Sequence, residues 1–86
     1  MSDDEPLANR VLKKLRTALD YQSAEIARLI ELGGLPRPSA SRVTAWLRAP
    51  SDRRWQRMRS EELLALLDGV IAVERDGASL DDQEAQ

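Results

Sequence analysis

The aliphatic residues of this chain fall three and four positions apart through most of its length and nowhere alternate with polar ones. That spacing builds helices with one apolar stripe and leaves nothing to form a sheet. Leu7, Ala8, Val11, Leu12, Leu15, Ala18 and Leu19 form the first stripe, with Arg10, Lys13, Lys14 and Arg16 on the remaining faces. Asp3, Asp4 and Glu5 are expected to complement the start of this helix, and Pro6 suits its first turn. Ile26, Ala27, Leu29 and Ile30 form a second stripe, with Ser23 as the expected N-cap and Gly33-Gly34 as the stop.

A third, short helix is expected from Ser39 to Ala49, capped by Ser39 or Ser41, carrying Val43, Trp46 and Leu47 inward and ended by Pro50. Ser60 caps the expected fourth helix, with Glu61 and Glu62 in its first turn and Leu63, Leu64, Leu67, Val70 and Ile71 as its stripe. Asp68-Gly69 does not interrupt that stripe, so Gly69 is read as a point of close approach by another helix. The sequence therefore predicts an all-α, compact four-helix domain. Its divisions are an acidic segment at residues 1–5, the helical domain at 6–75 and a disordered acidic tail at 76–86, where Leu80 is the one apolar anchor.

Charge is sorted along the chain. Between Arg10 and Arg59 there are 12 Lys or Arg against 4 Asp or Glu, while both flanks are acidic, so a net charge of −2 conceals a cationic middle. Clustered cations release counterions from a polyanion, and this local field points to nucleic acid.

Several function classes are disfavoured by composition. Cysteine and histidine are both absent, which removes thiolate chemistry, the usual zinc ligands and the common neutral-pH general base. No nucleophile and base pair is visible, and no glycine loop suited to phosphate, so no enzyme, metal or cofactor is expected. Apolar runs are too short to span a bilayer, and the acidic start is unlike a signal peptide, which predicts a cytoplasmic protein without a membrane partner.

Two short helices between a longer opening one and a closing one have the order of a helix-turn-helix. The second of the pair would present small polar and basic residues to the major groove. Ser41, Arg42, Thr44 and Arg48 are the candidate base-reading residues. Arg37, Ser39, Arg53, Arg54, Arg57 and Arg59 are the candidate phosphate ligands, the last four surrounding Trp55 in a basic connector. Trp46 is expected in the core, Trp55 either folded over it or stacked on a base. Lys13 and Lys14 are read mainly as a solvated helix face, and Glu61 and Glu62 as dipole-complementing residues.

The runs Glu25-Ile-Ala-Arg-Leu-Ile, Ser41-Arg-Val-Thr-Ala-Trp-Leu-Arg and Ser60-Glu-Glu-Leu-Leu-Ala-Leu-Leu resemble repressor-type helix-turn-helix domains, with a longer turn at Leu32 to Pro38. A closer resemblance spans Leu7 to Arg75. Asn9-Arg-Val-Leu-Lys-Lys-Leu-Arg-Thr-Ala-Leu-Asp, Glu31-Leu-Gly-Gly, Val43-Thr-Ala-Trp-Leu-Arg and Leu66-Leu-Asp-Gly-Val-Ile are similar to the YehS-like family of uncharacterised bacterial proteins. Members typically carry two copies of such a unit, so the single copy here implies a homodimer. The expected function is DNA binding, with transcriptional regulation as its natural use. The alternative is a helical module for protein interaction or self-assembly, with RNA ranked below both.

Overall fold

The computed structural model describes residues 5–78 and consists of four helices, with no strand among the described residues. They are α1 (Leu7–Leu19), α2 (Ser23–Leu32), α3 (Ala40–Leu47) and α4 (Ser60–Asp76). Of the acidic ends, Asp3, Asp4 and residues 79–86, including Leu80, lie outside the described residues. Asp76, expected to open the tail, is instead the last residue of α4, which closes on Gly77 in the left-handed conformation.

The core is made as the spacing predicts. Leu12 from α1, Ile26, Leu29 and Ile30 from α2, Val43 and Trp46 from α3, Met58 from the connector and Leu66 from α4 are all buried. Trp46 is fully enclosed, in keeping with its assignment to the core.

Three helix starts sit one residue away from the expected place or use other partners. Pro6 occupies the N-cap of α1 with no acidic residue in the first turn, and Glu5 reaches instead to Lys13. Gln22, not Ser23, precedes α2, and its N–H donates to Glu25 at 2.8 Å. Arg59, not Ser60, precedes α4, and its N–H donates to Glu62 at 2.7 Å. In both cases a Glu three residues on takes up the free amide, which is why the serine is carried one step into the helix. Ser39 caps α3 as expected, accepting the Arg42 N–H at 3.1 Å. That helix ends at Leu47, before Pro50 is reached, because Arg48 is already extended.

The stripe of α4 is turned in part from its expected register: Leu63 and Val70 pack on the core as expected, but the centre of the buried face lies elsewhere. Its buried residues are Glu62, Ala65, Leu66 and Gly69, while Leu64 and Ile71 are 62% and 54% exposed. The reason is backbone contact between α2 and α4. A Cβ on Gly69 would lie 1.9 Å from the Leu29 carbonyl oxygen, and one on Gly33 would lie 1.8 Å from the Ala65 carbonyl oxygen. The two pairings run in opposite directions along the chain, so the helices are antiparallel. Their backbones touch at two points, and the small face of α4 has to turn inward. Gly33 is thus a packing residue in a helical conformation, and the left-handed turn that succeeds α2 belongs to Gly34 at φ 109°.

Gly69→Ala tests this contact. Alanine in a helix is ordinarily worth up to about 1 kcal/mol over glycine, but a methyl pressed on a carbonyl oxygen costs more. A net loss of about 2 kcal/mol or more is expected in urea unfolding, with the same sign for Gly33→Ala.

Candidate nucleic-acid interface

One buried side chain seats the arginine connector on the helices. Asn9, on α1, is wholly enclosed, and its Nδ2 donates to the carbonyls of Trp46 and Gln56, each at 3.0 Å. Its Oδ1 accepts the Met58 N–H at 2.8 Å. The Gln56 N–H in turn donates to the Ala45 carbonyl at 3.2 Å. These bonds tie the end of α3, the connector and α1 together. Asn9 passes in the sequence for one polar residue of an amphipathic helix, and only its place on the stripe beside Ala8 and Leu12 hints at burial.

Seated in this way, the connector brings cations from three segments side by side. Lys13 Nζ donates to the Arg48 carbonyl at 2.8 Å and pairs with Glu5, so it is a bridge and not a free face. Arg10 and Lys14 line a shallow cleft with Lys13 and Glu5. Arg48 Nη1 stands 3.5 Å from Asp52 Oδ2, and Asp52 Oδ1 accepts the Arg54 N–H at 2.8 Å. The hydrogen bond from the Arg54 amide holds the Asp52 carboxyl below its ordinary value; burial opposes it, and the charges of Arg54 and then Arg48 add to the lowering. A depressed carboxyl contributes above the ordinary carboxylate range, and that contribution fades as pH falls through the lowered value. Arg53 and Arg57 are exposed and have no ion pair among the described residues. Arg10, Lys13, Lys14, Arg48 and Arg54 are thus linked through Lys13 and Asp52, with Glu5 and Asp52 as acidic partners, and Arg53 and Arg57 are carried on the same connector.

The four candidate base-reading residues do not all point one way. Ser41 is exposed near the start of α3. Thr44 is half-buried, with its hydroxyl 3.1 Å from that of Ser23 on α2. Both lie on α3, whereas Arg48 is the extended residue just past its end. Arg42 belongs to the neighbouring face. Its Nη2 lies 2.7 Å from Glu62 Oε2, and its guanidinium sits 5.4 Å from the centre of the Trp46 ring. Glu62 is thus more than a dipole-complementing residue, since it caps α4 and holds Arg42 from a buried position.

The phosphate candidates divide in the same manner. Ser39 is spent on its cap. Arg37 Nη2 is 2.6 Å from Glu31, which also takes Arg28 at 3.0 Å. Hydrogen bonds from Arg37 and then Arg28 lower the pKa of Glu31. Arg59 faces Glu61 at 3.5 Å and Glu62 at 3.7 Å. Only Arg53, Arg54 and Arg57 join the connector region with Arg48. Trp55 is half-buried, between full enclosure in the core and free exposure to a base.

No metal-binding cluster of acidic side chains occurs among the described residues, and no described helix is long and apolar enough to cross a membrane. Residues 8–76 match the model of a family described as protein of unknown function (DUF1456), and the chain belongs to that family. No curated protein and no solved structure matches it.

Asn9→Ala measures the clamp. Removing three hydrogen bonds and stranding two carbonyls and an amide is expected to cost about 2 to 4 kcal/mol in urea unfolding. Amide exchange at Met58 should accelerate more than at Ile30.

Proposed function

We propose that this domain binds duplex nucleic acid, with the connector and the basic residues of α1 on phosphates and with Ser41 and Thr44 of α3, and Arg48 just past its end, toward the groove. The observation that carries the reading is the Asn9 clamp, because it gathers cations from α1, the end of α3 and the connector into one region. Guanidinium groups hold phosphate bidentately, and a helix the width of α3 fits a major groove. The carboxylates now on Arg37, Arg42 and Arg59 are partners a phosphate would displace, readily at the exposed Glu31 and Glu61 and against more resistance at the buried Glu62. Kinship with the YehS-like proteins fits the family match and adds no activity of its own. Regulation of transcription in the cytoplasm is the use such binding would serve.

A second reading is a protein-interaction module. It is favoured by the number of arginines already paired within the chain and by the apolar side chains left outside α4.

Fluorescence anisotropy with a random-sequence 20-base-pair duplex at several salt concentrations separates the two. About five phosphate contacts give a log–log salt slope near −4.5. Changing Arg53, Arg54 and Arg57 together to alanine should bring it to about −2, with weaker binding at every salt concentration. A flat salt response from the unaltered chain would remove the nucleic-acid reading.

A further inference from the structure

We infer that the outer face of α4 is a self-complementary surface that pairs, antiparallel, with α4 of a second copy of this chain. Leu64 and Ile71 stand seven residues apart on the face opposite Leu66 and Gly69, so they share one line along the helix. They are 62% and 54% exposed, whereas Ala65 and Leu66 are buried and Leu63, Val70 and Val73 pack partly buried on the core. Leu67 is half-exposed beside them and does not pack on the core. Leu7, 70% exposed, lines a cleft with Ser60 at the start of α4 and extends the apolar ground toward α1.

Charge says what covers this line. Along its edge stand Glu61, Asp68 and Arg75, all exposed and each seven residues from the next. In one direction the edge runs acid, acid, base. Its ends are matched by the same edge in reverse. Two antiparallel copies related by a two-fold axis beside Asp68 bring Leu64 to the second copy's Ile71 and Glu61 to the second copy's Arg75, each contact occurring twice. The two helix dipoles then also oppose each other favourably. Among the described residues Glu61 pairs with Arg59 at 3.5 Å, and both side chains are more than 60% exposed. Such a pair is readily exchanged. The arrangement has one built-in cost, because Asp68 meets its own copy near the axis.

A helix of 17 residues is about 25 Å long. One helix pair with Leu7 at its margin covers less than the roughly 800 Å² per partner of a standard interface. The dimer is therefore reversible and dissociates on dilution.

Sedimentation velocity on the full chain, from roughly 1 μM to 1 mM, should show a coefficient that rises with concentration. Leu64→Glu with Ile71→Glu should stay monomeric throughout with unchanged helical circular dichroism, since both side chains face outward. Glu61→Arg and Arg75→Glu should each weaken association about fivefold through loss of two symmetry-related pairs. Combining them should restore it, and Asp68→Asn should tighten it. A wild-type chain monomeric over the whole range, association that survives the Leu64 and Ile71 changes, or a double charge swap weaker than either single change would overturn the inference. No nucleic acid enters the measurement, so its failure is distinct from failure of duplex binding.

Discussion

Backbone contact between α2 and α4 governs most of the architecture of this domain. A chain this small cannot enclose much apolar surface, and bulky side chains between two helices would hold them 8 to 10 Å apart. Gly33 against Ala65 and Gly69 against Leu29 remove that spacer at both ends of the crossing. Leu29, Ile30 and Leu66 are thereby brought close enough to enclose Trp46 with few other aromatic groups available. The same contact fixes the rotation of α4. With its small residues committed inward, Glu62 is carried into the core and Leu64 and Ile71 are carried out of it.

Asn9 plays the corresponding role for the segment without regular structure. Residues 48–59 contain two short turns and no helix, and Met58 is their only fully buried side chain. An apolar anchor alone would leave the segment free to slide, because the hydrophobic effect has no direction. Hydrogen bonds have direction, and two to the Asn9 amide fix the connector at Gln56 and Met58 while a third ties the same side chain to Trp46. Position in this part of the molecule comes from buried polarity, and the exposed arginines inherit it.

The sequence showed the four helices because their stripes and breakers were strong: Leu7 to Leu19, the Gly33-Gly34 stop and the Ser39 cap all lie where spacing and capping chemistry place them. It also showed that Gly69 admits a neighbouring helix. It did not show which way α4 faces. Leu63, Leu64, Leu67, Val70 and Ile71 make as good a stripe on paper as Ala65, Leu66, Gly69 and Val73, and hydrophobicity ranks leucine above glycine. Steric access reverses that ranking wherever backbones meet. The cationic connector was legible from composition. Its attachment through Asn9, the bridging role of Lys13 and the division of the arginines among Glu31, Asp52 and Glu62 were not, since each depends on residues remote in the chain that only the packed helices bring together.

Glu62 stands where an incoming anion would have to stand in order to hold Arg42. Its carboxylate is enclosed, and besides Arg42 it is served by the Arg59 amide and guanidinium. Whatever recruits Arg42 from outside leaves a sealed negative charge with fewer donors, and the burden returns to the start of α4. The domain thus contains a resident competitor for one of its own arginines. Engagement of Arg42 by an outside anion would be a displacement, sensitive to what happens at the end of a helix, whereas Arg53 and Arg57, without an ion pair among the described residues, would need none.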